Sequence, residues 1–479
     1  MILSSVMMSC GDNAGSSSVI NDEPQNTAAA ETSAETEAAE TEIPSGLPDD
    51  LDFGGYNFRW LTSATNSNNT ITVYNEQTGD VLNDIMYERT KKVEEELNVV
   101  FSDDVVSADA WTAISDIRKS VQAGDDDFDA SMQLGRGAWT ITGDGLFLDM
   151  KELPYLSGDK PWWFSDINSQ VNLTDHDYIM FGSLNLGIYD MTCVVLFNKK
   201  LLEANGFENP YRLTDDGLWS FDTMAAMARA ATVDTNGDGI MGKEDNWGFT
   251  GRYNSMLPGF IAGARQKTVE INADGIPELT AGSNQRIFEV FDKVMTLFWD
   301  DGVWYSKTNS ANDYYLTDPF FENDQALFAD RTLYSIFHLR DMETDFGMVP
   351  YPKYDDAQEG YGSMTVAGSR TTVVPATVKN KEVVGAVLEA LNYYSWKDVI
   401  PVYFEVALKQ KYSRDNETAK MFDLIIDSMV YDLGETMLCD TVKDGIFVPL
   451  FQNNKRDLAS KIEKEIKKVN KAIEAALNS

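Results

Sequence analysis

Histidine is nearly absent from this chain. Only His176 and His338 occur in 479 residues, far apart and outside any ligand-spaced cluster. That leaves little material for a zinc site, and a Ser–His–acid triad would need one of the two in an apt setting. Both read as surface or structural residues. Cysteine is almost as scarce: Cys10, Cys193 and Cys439 do not make a disulfide framework. Cys193, in the apolar run Met191–Phe197, and Cys439, after Met437-Leu438, read as buried thiols acting as small hydrophobes, with a bridge between them left open. Basic residues number 39 against 77 acidic ones, a formal net charge of -38 without a basic cluster to offset it. Such a field repels nucleic-acid phosphates and anionic lipid headgroups, so nucleic acid is excluded as a partner. Past the N-terminal stub no apolar run approaches membrane-spanning length. No glycine fingerprint opens a first βαβ unit, and neither a phosphate loop nor a Gly-x-Ser-x-Gly elbow occurs. The catalytic class left open is glycoside hydrolysis, which needs only two carboxylates about 5 to 9.5 Å apart. No pair stands out from the acidic background.

What the chain does have is one specific loop, Asp234-Thr235-Asn236-Gly237-Asp238-Gly239-Ile240-Met241-Gly242-Lys243-Glu244-Asp245. Oxygen-bearing side chains stand at positions 1, 3 and 5 (Asp234, Asn236, Asp238). Gly239 follows at position 6, where the chain must turn sharply. Ile240 at 7 offers its backbone carbonyl, and Asp245 closes the loop at 12. That is the ligand order of a twelve-residue calcium loop, with Asp in place of the usual Glu at the end, as in the dockerin-type modules it resembles. The loop has no second copy and is continuous with structured segments on both sides. A structural Ca2+ that pins the connection before Trp247 is therefore expected rather than a sensor.

At the N-terminus, Met1–Cys10 is a short apolar run ending in Ser9 and Cys10. Gly11–Asp50 follows with ten acidic and no basic residues, the composition of a disordered tether. Stub, cysteine and tether resemble the end of a bacterial lipoprotein signal with a truncated start, Cys10 being the lipid-bearing residue. From residue 51 strands and helices alternate. Strand segments near 56–61, 99–101 and 128–132 are separated by amphipathic helices over 84–97 and 110–121, the signature of an α/β lobe. Helices are also expected over 223–231, 284–298, 320–328 and 381–394, and a regular amphipathic helix over 457–477.

Several stretches resemble the extracellular solute-binding lipoproteins of bacterial ABC importers, in the large carbohydrate-binding group related to maltose-binding protein. They are Gly54-Gly55-Tyr56-Asn57-Phe58, Val195-Leu196-Phe197-Asn198-Lys199-Lys200-Leu201-Leu202-Glu203-Ala204-Asn205-Gly206, Trp219-Ser220-Phe221-Asp222-Thr223, the segment 234–249, Phe346–Pro352 and Lys411–Asp415. The resemblance implies an α/β, two-lobe periplasmic-binding-protein-like fold of type II, with a central cleft and C-terminal helices. After the signal remnant 1–10 and tether 11–50, lobe one would comprise 51–185 and 367–408. Lobe two would comprise 186–366, with the calcium loop, and 409–479. The resemblance further implies a monomer, lipid-anchored at the outer face of the cytoplasmic membrane or in the periplasm, that delivers a mono- or oligosaccharide to the permease subunits of an importer without reacting with it. By position, the sugar-contacting residues would be Ser63, Thr65, Asn66, Gln133, Arg136, Tyr189, Asp190, Arg252, Tyr253 and Arg331. Aromatic platforms and Asp, Asn and Arg hydrogen bonders suit the C–H faces and hydroxyls of a sugar. The alternatives are a surface glycoside hydrolase or lyase using a carboxylate pair, and a non-transport adhesion or scaffold module.

Overall fold

The computed structural model describes residues 43–63, 76–101, 105–173, 175–304, 319–336, 339, 342–406 and 416–477. Cys10, Thr65, Asn66 and His338 lie outside the described residues. Every element below belongs to the unit Ser45–Ser479.

Two four-stranded sheets organise this unit. The first has strands Arg370–Val373, Ala130–Leu134, Trp60–Ser63 and Val105–Ser107 in that order. Trp60–Ser63 runs parallel to both of its neighbours, and Arg370–Val373 closes one side antiparallel, Arg370 opposite Leu134. The second sheet has strands Phe346–Val349, Cys193–Asn198, Ala326–Thr332 and Trp247–Thr250. Ala326–Thr332 is parallel to Trp247–Thr250 and antiparallel to Cys193–Asn198. Helices flank both sheets, so the central strands are buried on two faces, which is why Cys193–Asn198 reads as the unbroken run CVVLFN.

Local sequence explains most of the boundaries. Asp80 and Asp109 cap the helices Val81–Leu97 and Ala110–Ala123 by accepting backbone N–H bonds. Asn198 ends its strand and caps Lys199–Ala204 through Leu201 N at 2.9 Å, while its amide donates to Asp324 at 2.7 Å. The phrase Phe-Asn-Lys-Lys-Leu-Leu thus encodes a strand-to-helix junction. Gly248 lets the helix Phe221–Ala231 lie directly on the second sheet, because a Cβ there would stand 2.1 Å from the carbonyl oxygen of Ala228. Rings fill the space below: Phe249, Phe260, Phe298 and Tyr351 make four tilted or edge-on contacts at 5.1 to 5.9 Å, three of them to Phe260.

One expectation is overturned. The helix expected over 320–328 stops at Glu322, and Ala326–Thr332 is instead a central strand. Asp324 adopts φ 58°, a left-handed conformation that ends the helix, and pairing on both edges overrides the helical propensity of the run. The C-terminal helix, Leu458–Leu477, buries Leu458, Ile462, Val469 and Ile473, while Ile466 is exposed.

Candidate functional site

Topology fixes where a site can form. In open α/β sheets the loops leaving the carboxyl ends of parallel strands gather on one edge and create a crevice. In the first sheet that edge is formed by Ser63, Ser107 and Leu134, with Arg370 beginning the antiparallel strand beside them. In the second it is formed by Thr250 and Thr332, with Cys193 beginning its antiparallel strand alongside. Two connecting segments join the sheets and lie side by side, Thr192 pairing with Thr365 and Val366 N donating to the Met191 carbonyl.

A 220 Å³ cavity occupies this crevice. Leu134 and Arg136 line it from the first sheet, Arg252, Asn254 and Ser255 from the second, Val366–Gly368 from the connection, and Lys443 and Asp444 from the C-terminal part. Arg136 enters because Gly135–Trp139 turns helical directly after the strand. Its Nη1 donates to Asp440 at 2.9 Å and to the Cys439 sulfur at 3.2 Å, and its guanidinium lies 5.3 Å from the Trp111 ring centroid. Its Nε is buried and has no partner among the described residues. Trp111, in the first turn of Ala110–Ala123, is 48% exposed, an unusual state for the largest apolar side chain. Side-chain bonds from Asp109 to Trp111 N and Thr112 N fix the turn that carries it.

Below the cavity lies a buried ion pair. Arg252 Nε stands 3.2 Å from Asp330 Oδ2, and the two residues are 4% and 0% exposed. Asp330 also accepts from the Ser255 hydroxyl and from Tyr351 at 2.6 Å. Desolvation alone would raise the Asp330 pKa, but the Arg252 charge and these hydrogen bonds outweigh it and hold the carboxyl below its ordinary value. Glu435 contrasts with it: buried, with neither carboxylate oxygen partnered among the described residues, it is pushed well above the usual carboxylate range by desolvation, only partly countered by Lys443.

The expected contact residues scatter. Arg136 and Arg252 meet in the cavity. Ser63 is buried at the end of its strand, and Gln133 is fully buried, its amide donating to Ser131. Asp190 is fully buried and accepts from Tyr403 at 2.6 Å; Arg331 donates to the Asp330 carbonyl at 2.7 Å. Tyr253 is partly buried against the core. Tyr189 packs against Phe164 and Phe404 and lines a separate, larger cavity of 670 Å³. The sequence reading missed Trp111, whose signal was an aromatic one residue inside a capped helix start, and Lys443 and Asp444, which carried no distinguishing local pattern.

The loop 234–245 is built from Asx turns. Asp234 accepts from Gly237 N and Gly239 N, Asn236 from Asp238 N, Asp238 from Ile240 N, and Asp245 from Thr235 N and Gly242 N, all at 2.7 to 2.9 Å. Gly237 and Gly239 take φ 73° and 79°, which the turns require. The backbone bonds from Gly242 and Thr235 hold the Asp245 carboxyl below its ordinary value. An all-oxygen donor set fits a hard cation. Among the described residues, one group of three His, Cys, Asp or Glu ligand atoms gathers within 4.8 Å, and it is elsewhere: Cys439, Asp440 and Asp444. There Arg136 pairs with Asp440 and Lys443 with Asp444, and burial raises the thiol pKa to about 11. Cys193 and Cys439 are both buried and free.

No family model and no curated protein matches this sequence. Among solved structures, the chain is similar to an ABC substrate-binding protein from Listeria monocytogenes in complex with cycloalternan, at 13% identity and TM-score 0.57 over 88% of this chain and 99% of that one. It is also similar to the cyclic alpha-maltosyl-1,6-maltose binding protein of Arthrobacter globiformis, at 13% identity and TM-score 0.58 over 88% and 99%. A third is a family 1 extracellular solute-binding protein from Bifidobacterium longum subsp. infantis, at 15% identity and TM-score 0.57 over 87% and 100%. The likeness establishes the fold: a mixed α/β, two-domain, periplasmic-binding-protein-like arrangement with open sheets and C-terminal helices.

Proposed function

We propose that this chain binds a carbohydrate in the crevice between its two sheets, without reacting with it, and delivers it to a membrane ABC importer. One observation carries the reading: at the carboxyl edge of the first sheet, an exposed Trp111 ring and the Arg136 guanidinium 5.3 Å from it stand beside a cavity that the second sheet completes. A sugar needs this combination, a flat apolar face for its C–H groups and fixed donors for its oxygens. The likeness, over 88% of this chain, to proteins solved with cycloalternan or named for a cyclic maltosyl-maltose supports a saccharide as the ligand class. Because both sheets line the cavity, closing them on the ligand desolvates its hydrogen bonds and presents a distinct lobe arrangement to a permease.

The finer reading is a type II arrangement, supported by the strand order of the first sheet, in which Trp60–Ser63 lies between the next two parallel strands and the returning strand 370–373 follows. Lobe one would be 51–185 with 367–408, and lobe two 186–366 with 409–479. Asp234, Asn236, Asp238, the Ile240 carbonyl and Asp245 would hold a calcium ion whose role is to tie the loop ahead of Trp247. The anchor is Cys10, the working form a monomer, and the compartment extracytoplasmic. Isothermal titration against mono- and oligosaccharides tests the main claim. Binding of at least one saccharide, lost in Arg136→Gln, is the expected result; tight binding of an amino acid or peptide with no saccharide bound overturns it.

A further inference from the structure

The 670 Å³ cavity lies apart from the crevice. The helix Met256–Gly263 separates the two: Ser255, just before it, lines the smaller cavity, and Arg265, just after it, lines the larger one, ~12 Å of helix away. The connecting segment divides them as well. Thr365 lines the large cavity and Val366 the small one, as expected where successive residues of an extended chain point to opposite faces.

Two properties of its wall point to a ligand. First, Trp163, Phe164 and Tyr189 line it, Phe164 half-buried and the other two buried. Trp163 is fixed by its Nε1 bond to Glu389 at 2.9 Å, and Phe164 packs edge-on against Tyr189 at 6.0 Å. Second, three cations line it, Lys160, Arg265 and Lys267, and none has a carboxylate within ion-pair distance among the described residues. Arg265 donates to the Glu359 carbonyl at 3.2 Å and Lys267 to Gln170 Oε1 at 2.6 Å, both neutral acceptors. In a chain with 77 acidic and 39 basic residues, pairing a surface cation is easy, as Arg118–Asp144, Lys200–Asp324 and Arg229–Asp301 illustrate. Arg265 and Lys267, bonded to neutral acceptors, therefore bring positive charge to this cavity, while Lys160 also faces the Glu389 carboxylate. Asp159 and Asp166 also line it and are exposed, as Arg265 is, whereas Lys160 and Lys267 are half-buried.

We infer that this cavity is a second binding site, distinct from the crevice, for a carboxylated saccharide. Its ring face would lie on Phe164, and its carboxylate would be held by Arg265 and Lys267 with Lys160 at the other side. The volume falls within the range of ordinary small-molecule sites. The site does not depend on what the crevice binds. Gln170 and Lys267 reach it from segments attached to different sheets and are bonded to each other.

The test uses the full chain and a galacturonic acid disaccharide, with the neutral galactose disaccharide as control, by isothermal titration at low and moderate salt. The acidic disaccharide binds the wild type, more weakly as salt rises. Arg265→Gln/Lys267→Gln weakens it at least tenfold, and Arg136→Gln in the crevice leaves it unchanged. If the double variant does not fold, as judged by its melting curve, Lys160→Gln gives the reading, with a three- to tenfold loss. Equal affinity in the wild type and the cavity variants, loss in Arg136→Gln instead, or no binding of the acidic disaccharide overturns the inference. A neutral oligosaccharide binding in the crevice survives each of those outcomes, so the two claims fail separately.

Discussion

Replacing Arg252 by Met removes one half of the buried pair beneath the crevice and keeps most of the side chain's length. Asp330, fully buried, is left with Ser255, Tyr351 and the backbone N–H of residue 252 as its hydrogen-bond donors and without the Arg252 counter-charge. Removing one partner of a buried pair costs about 3–5 kcal/mol, because the remaining charge stays desolvated. The pH dependence identifies the cause. In the wild type the Asp330 pKa is depressed, so its contribution is present above the unfolded value of about 3.9 and is lost as pH falls through the lower folded value. In Arg252→Met desolvation dominates, the folded value rises above 3.9, and protonation becomes stabilising. The deficit of the variant therefore shrinks between neutral pH and about pH 4. Urea unfolding at a series of pH values measures it. Arg252→Met/Asp330→Asn should recover most of the stability, since no buried charge is left unpaired, while still binding ligand weakly because Arg252 lines the cavity. A deficit below about 1 kcal/mol, or one that is constant from pH 4 to 7, would refute the reasoning.

Three further outcomes follow from the same geometry. Trp111→Ala should weaken saccharide binding by about tenfold, equivalent to about 1.4 kcal/mol, with the melting temperature unchanged, because the ring is half exposed; calorimetry and a melting curve check it together. Glu435 holds its proton beyond the pH at which the unfolded chain releases it, so it lowers stability as pH rises above about 4.3; Glu435→Gln should flatten that decline between pH 5 and 8 in urea titrations. Chelation, or Asp238→Ala, should lower the melting temperature and leave saturating ligand binding intact; an unmoved melting temperature under both treatments would make the loop a turn and no more.

Much of the fold was legible because its signals are local. Asn198 followed by Lys-Lys-Leu-Leu marks a strand end and a helix cap within a few residues, and Lys381–Tyr394 is a helix over the range its periodicity gives. The run 320–328 misled because a short apolar segment cannot distinguish a buried strand from a helix; pairing on both edges decided it. The site was harder to read. Arg136, Arg252, Gln133 and Arg331 are all polar residues near strand ends, yet two line a cavity and two are interior. Nothing in their flanking sequence separates the pairs, because each side chain's surroundings come from strands far away in the chain.

The amino-acid sequence by itself determined the alternation of strands and helices, the capped helix starts, the turn-rich loop 234–245 and the scarcity of reactive side chains. These depend on neighbours a few residues apart, whose energetics the chain carries locally. Only the tertiary structure brought Arg136, Arg252 and Lys443 to one crevice with Trp111 beside Arg136, locked Arg252 to Asp330, and gathered Lys160, Arg265 and Lys267 around a second cavity. Burial and charge pairing are set by residues tens to hundreds of positions apart, so they exist only once the two sheets have formed and met.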